Sequence, residues 1–219
     1  MALGRADILR KLKSGSLVVT PISQKHLQPA GLQLSLGAKL QLMKPGTVID
    51  PRSNTLPEWE ELTIPPEGFE LKPGMFVLGH TLEKVTIPNG ILGMVDGRST
   101  LARCGVTPHQ CAMAIWPGHG AGAPRSITLE IYNLGPCSFK LYEGLFVANL
   151  ILHTLFDYRV RDLLRFFANL IFSRFQLKVG TPSYDDQDGR YRRDDAKMIP
   201  QFNGDILDLK TCIDPSQLV

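Results

Sequence analysis

Between Gly97 and Arg103 the chain reads Gly-Arg-Ser-Thr-Leu-Ala-Arg, which places two guanidiniums, two hydroxyls and a run of backbone N–H donors within seven residues. Guanidiniums grip phosphate oxygens bidentately and hydroxyls add further donors, so this inventory suits a polyphosphate. Downstream, Thr128-Leu129-Glu130-Ile131-Tyr132-Asn133 sets a single carboxylate between two aliphatic residues. Strand alternation sends Glu130 to the face opposite Leu129 and Ile131, where a carboxylate needs a partner or a task. Phosphate donors followed by one poised acid read as a nucleotide site with proton-transfer chemistry. A buried structural pair between Glu130 and Arg103 or Arg98 is the alternative reading of the same residues.

Positioning these groups falls to a strand-rich body. Ile8, Leu9 and Leu12 fall at helical spacing, which predicts a short helix over Arg5 to Lys13 ended by Ser14-Gly15-Ser16. Beyond it the period changes. Short apolar runs at Leu17–Val19, Leu32–Leu36, Leu62–Ile64, Met75–Leu78, Ile91–Val95, Ile127–Tyr132 and Phe146–Leu152 are separated by turns rich in the chain's 20 glycines and 16 prolines. That pattern predicts a mainly β fold, a β-sandwich or jelly roll. Leu71-Lys72-Pro73-Gly74-Met75 and Leu141-Tyr142-Glu143-Gly144-Leu145 read as two equivalent turn-into-strand corners.

With 219 residues, 43% hydrophobic and 21% charged, the chain has enough apolar surface for one globular domain with a tail. A net charge of +3 is too mild for a nucleic-acid binder, so no nucleic-acid partner is expected. Cys104, Cys111, Cys137 and Cys212 show no Cys-x-x-Cys pair and read as free thiols. The first residues include an acid and no long apolar run, so no membrane anchor is expected. The resulting expectation is a cytoplasmic or nuclear protein.

The pairing of Gly97–Arg103 with Thr128–Asn133 resembles the dCTP deaminase branch of the trimeric dUTPase-like superfamily, whose members carry a Gly-Arg-Ser-Ser-Leu-Ala-Arg motif and then a strand with Leu-Glu and Asn. Three more blocks resemble the family in order: Gln28–Gly37, Thr81–Pro88 and Arg192–Lys197. The resemblance implies a distorted jelly roll assembling as a homotrimer, with each active site at a subunit boundary. It implies that Arg98, Ser99, Thr100 and Arg103 contact a deoxynucleoside triphosphate, the Thr100 hydroxyl standing in for a serine's, and that backbone groups of Thr128 and Leu129 recognise the base. Lys197 and Gln201 match positions that fold over triphosphate and base as a lid. The family's lid tyrosine falls on Arg190, one residue from Tyr191. Mg²⁺ is implied as a bridge between phosphate oxygens rather than in a protein cage. Two departures affect the early strand, where Gln33 replaces an acid and Gly31 a polar residue. The largest departure is Ile115-Trp116-Pro117-Gly118, where the family has Asp in place of Trp116 to accept the sugar 3′-OH; indole donates but never accepts.

Deaminating cytosine requires water to attack C4 while protons move to N3 and then to the departing ammonia, a task for a positioned carboxylate. Glu130 is the candidate proton shuttle, and the resemblance implies that Arg103 and Ser99 orient the water and stabilise the tetrahedral adduct. A zinc deaminase would carry His-x-Glu and then Pro-Cys-x-x-Cys, whereas Pro136-Cys137 continues as Ser138-Phe139-Lys140, so no zinc is expected. The expected reaction is hydrolysis of dCTP to dUTP and ammonia. A bifunctional enzyme that goes on to dUMP and a non-catalytic nucleotide-binding trimer are the alternatives. Residues 1–155 read as the β core and 181–219 as lid and tail. Residues 156–180 read as an insertion, because joining Leu155 to Thr181 restores the family's path. Phe166, Phe167, Leu170, Ile171 and Phe175 would suit one helix face there, and a translated intron is the other reading of the segment.

Overall fold

Ile8 and Leu12 are buried on one side of helix α1 (Arg5–Lys13), while Asp7 in its first turn and Arg10, Lys11 and Lys13 in its last complement the helix dipole. The bounds are those expected from the apolar spacing. The structure is a computed structural model describing residues 1–109, 112–155 and 206–218. Among these, thirteen strands follow α1: β1 (Val18–Thr20), β2 (Leu27–Gln28), β3 (Gly31–Ser35), β4 (Lys39–Met43), β5 (Trp59–Thr63), β6 (Phe69–Leu71), β7 (Phe76–Thr86), β8 (Ile91–Gly97), β9 (Val106–Thr107), β10 (Ala114–Ile115), β11 (Arg125–Asn133), β12 (Phe139–Leu141) and β13 (Phe146–Thr154). A short helix α2 (Ser99–Arg103) lies between β8 and β9.

The strands form two antiparallel sheets. One runs β5-β4-β7-β11-β9, with β1 also on β7; the other runs β10-β8-β13-β3-β2. Their inner faces share one core, to which the first sheet contributes Val77, Leu129 and Ile131 and the second Leu34, Val95 and Leu150. This is the expected distorted sandwich. β6 and β12 pair separately as a two-stranded ribbon. The two corners that follow them are equivalent: Met75 donates to Lys72 and Leu145 to Tyr142, with Gly74 and Gly144 both at positive φ. Only glycine enters that region freely, which is why both corners read clearly in the sequence.

One strand is longer than its pattern suggests. Met75–Leu78 and Thr81–Pro88 read as separate segments, yet β7 is one strand of 11 residues. Val77, Gly79, Thr81, Glu83 and Val85 are its buried residues, so a glycine, a hydroxyl and an acid interrupt the apolar period on the inner face. After β13 the chain returns at Ile206, which bridges Leu145, and Leu207 donates to the Gly144 carbonyl at 2.6 Å. Ile213 then bonds Ile22, and Leu218 is buried. Residues 206–218 thus pack on the body. Among the described residues no helix is long and apolar enough to cross a membrane.

Candidate functional site

β8 belongs to one sheet and β9 to the other, so the intervening α2 bridges the two sheets at one end of the sandwich. Gly105 terminates α2 at a φ of 79°, donating to Ala102 at 2.9 Å. A Cβ there would enter the Gly135 backbone, and the close approach lets Leu134 donate to Gly105 at 2.7 Å. The end of β11 is thereby held against the end of α2. Ser99 and Arg103 are exposed on this helix, whereas Thr100 and Leu101 turn into the body. Arg98, the residue before the helix, is only 4% exposed. Its Nη1 donates to the Phe146 carbonyl at 2.8 Å, and its guanidinium carbon lies 5.9 Å from the Phe146 ring centre.

Glu130 keeps the predicted alternation: Ile127, Leu129 and Ile131 are buried while Glu130 faces outward and is half-buried. It lies opposite Leu78 of β7. Its amide donates to Pro108 at 3.0 Å, and its Oε2 accepts from the Ala112 amide at 3.0 Å. The carboxyl is therefore aimed at the loop that follows α2 and β9. His109, bridged to Glu130 along the backbone, brings its Nε2 to 3.5 Å from Asp96, two residues before Arg98. That contact ties the start of the Arg98–Arg103 segment to the strand that carries the acid.

Thr128 is exposed and Leu129 buried, opposite His80 and Gly79. β9 covers only Tyr132 and Asn133, so among the described residues the ladder on that side of β11 ends at the His109–Glu130 bridge. Backbone groups beyond such an end are where a flat ring edge can pair.

Trp116 is placed elsewhere. Its side chain is 74% exposed, on a turn bonded to Ile87 through Gly118 and His119. Gly120 closes that turn at a φ of 69°, where a Cβ would meet the Val85 carbonyl. Glu130 lies opposite Leu78 near the start of β7, whereas the turn that carries Trp116 is bonded to Ile87 just past its end, so the two residues belong to opposite ends of that strand. Tyr191, Lys197 and Gln201, like the segment 156–180, lie outside the described residues.

A second polar cluster gave no signal in the sequence. Glu83 and His26, both fully buried, meet at 3.0 Å, and the Ser35 amide and hydroxyl donate to the Glu83 carboxylate. The Ser23 amide donates to His26 Nδ1 at 2.9 Å, which leaves the imidazole proton on Nε2, facing Glu83. Partners 57 residues apart carry no local pattern. Asn133 is also structural: its amide donates to the Leu71 and Cys137 carbonyls and accepts from Gly135, fixing the exit of β11. Burial pushes the Cys104 thiol up, with Cys137 adding to it, and burial pushes Cys212 up, with Glu83 and Asp208 adding.

Residues 2–155 match the model of a family described as dCTP deaminase-like. The dCTP deaminase of Haloarcula marismortui is 38% identical over 157 residues, covering 68% of this chain and 78% of that protein. A dUMP-forming dCTP deaminase of Dictyoglomus thermophilum is 36% identical over 161 residues, covering 71% and 81%. Among solved structures, 2′-deoxycytidine 5′-triphosphate deaminase from Agrobacterium tumefaciens shares the fold at a TM-score of 0.53 and 19% identity, over 69% of this chain and 46% of that one.

Proposed function

The chain belongs to the dCTP deaminase-like family, and from that premise we propose that it hydrolyses the magnesium complex of dCTP to dUTP and ammonia. One observation carries the assignment: a half-buried carboxyl on the outer face of β11, oriented by the Ala112 amide and joined through His109 and Asp96 to the Arg98–Arg103 segment. Water attacks C4 of the cytosine ring while Glu130 takes one of its protons and delivers it to N3; Glu130 then carries the proton of the new C4 hydroxyl to the amino group, and the C4–N bond breaks as the carbonyl forms and ammonia leaves. Exposed Ser99 and Arg103 supply donors where charge develops. Arg98 and the Thr100 hydroxyl approach the phosphates from the buried side of the same segment. Backbone groups of Thr128 and Leu129, past the end of the β9 ladder, read the base.

The working unit is a homotrimer with its sites at subunit boundaries. Trp116, remote from Glu130 in its own chain, reaches a sugar only from a neighbouring subunit. Residues 1–155 form the catalytic core, and Tyr191, Lys197 and Gln201 close over the ligand as part of a lid. The location is the compartment that holds deoxynucleotide pools, the cytoplasm or nucleus.

Incubating purified protein with dCTP and Mg²⁺ tests the assignment. Equimolar ammonia and dUTP are expected, and Glu130→Gln should lower turnover about 10²–10⁴-fold while dCTP still binds. A second reading has specific support, because several similar relatives are named dUMP-forming. Pyrophosphate released in step with ammonia would establish it. A trimer that binds dCTP and releases neither product overturns both readings and leaves a nucleotide-binding protein.

A further inference from the structure

Phe146 meets Arg98 twice, through its carbonyl and through its ring. The pairing of β13 with β3 is irregular here: Phe146 lies opposite Ser35 and Ala148 opposite Leu34, so Val147 is an extra residue. A bulge of this kind bends the strand and re-aims its groups, which turns the Phe146 carbonyl toward the guanidinium. The ring itself is 1% exposed. Against it stands His26, edge-on at 5.3 Å and 84°.

His26 has no room to rotate. Its Nδ1 is held by the Ser23 amide and its Nε2 by Glu83, whose carboxylate is in turn gripped by Ser35. Ser35 is the residue opposite Phe146 in the ladder, so the contacts close into a ring: Ser35, Glu83, His26, Phe146 and back to Ser35. The tail adjoins this cluster, since Ile213 donates to the carbonyl of Ile22, next to Ser23.

A guanidinium on a flexible stem loses rotamer freedom when it grips phosphate, and a side chain fixed in advance has already lost it. We infer that Phe146 is the positioning residue for Arg98, locked in turn by His26 and Glu83, so that the guanidinium is set for the substrate triphosphate before the ligand arrives. The inference rests on the reading that Arg98 contacts the phosphates. Replacing the ring leaves the backbone carbonyl in place, so the effect is one of aim rather than of charge.

The test measures Mg·dCTP affinity by calorimetry on a Glu130→Gln background, comparing Phe146→Met, Phe146→Leu, Arg98→Gln and the double variant Phe146→Met with Arg98→Gln. Phe146→Met should weaken binding about 3- to 30-fold, the span from an exposed to a desolvated cation–π contact. The double variant should bind no more weakly than Arg98→Gln alone, because the ring acts only through the guanidinium. In the active chain the same loss should fall on KM and leave kcat within about threefold. Equal losses from Phe146→Met with and without Arg98→Gln overturn the inference, as do Phe146 variants that bind like the parent. An Arg98→Gln chain with undiminished affinity removes the reading beneath it, a distinct result that also overturns it. Loss of native circular dichroism in both Phe146 variants assigns the residue to the core alone and overturns it as well.

Discussion

Glu83→Gln removes one formal charge from the middle of the sandwich and leaves side-chain shape almost unchanged. In the native cluster, donors converge on the carboxylate from three groups: the Ser35 amide, at 2.9 Å from Oε2 and 3.1 Å from Oε1, the Ser35 hydroxyl and His26 Nε2, both on Oε1. An amide offers one acceptor oxygen and one NH₂. If the oxygen takes the Oε1 position, the hydroxyl and His26 keep their acceptor, but the NH₂ faces the Ser35 N–H donor to donor. If the groups are reversed, His26 must move its proton to Nδ1, where the Ser23 N–H already points. Either arrangement sacrifices at least one buried hydrogen bond and reduces the others from charge-assisted to neutral. At about 1–3 kcal/mol for an unsatisfied buried donor, plus the charge-assisted increment, the expected loss is about 3 kcal/mol. For a chain of this size that corresponds to a fall in Tm of about 6–12 °C. Urea denaturation read by circular dichroism at one fixed protein concentration measures it, since subunit association makes apparent stability concentration-dependent. A midpoint within about 0.5 kcal/mol of the parent would refute the acceptor accounting.

Further outcomes follow from other sites. Gly105→Ala puts a side chain at a φ of 79° and against the Gly135 backbone; it should cost about 2–4 kcal/mol in urea denaturation and lower dCTP affinity, because α2 loses its close fit to the end of β11. Leu218→Ala, at a position 1% exposed, should cost about 2–4 kcal/mol and expose the tail to limited proteolysis while the β core resists. Cys104 and Cys212 have thiols raised above the ordinary 9.0, so folding favours their protonated forms. Their contribution is complete below pH 9.0 and fades as pH rises through the higher folded values. Stability measured from pH about 8 to about 10 should fall less steeply in the chain carrying Cys104→Ala and Cys212→Ala than in the parent.

Legibility in the sequence followed locality. The alternation around Glu130, the helix from Arg5 to Lys13 and the corners at Gly74 and Gly144 each depend on residues within a few positions of one another, and each was readable. The sequence of β7 divides into two pieces because Gly79, Thr81 and Glu83 occupy inward positions that an apolar pattern requires to be hydrophobic. The inward turn of Arg98 and Thr100 was not visible, because a helix of five residues is too short to display a period. His26, Glu83 and Phe146 gave no sign because their contacts join four different elements. The separation of Trp116 from Glu130 depends on strand register, which motif spacing does not encode.

The return of the chain at Ile206 has a consequence for evolution by length. Leu155 is bonded to Gly90 and Ile206 is bridged to Leu145, so the described chain is fastened to the body on both sides of the span 156–205. The entropy of closing such a span grows only with the logarithm of its length. For a flexible connection, halving the length changes the closure term by only about 0.6 kcal/mol. The sandwich is therefore nearly indifferent to how much chain intervenes, and additions or losses can accumulate there while the carboxyl and its cationic neighbours stay where they are.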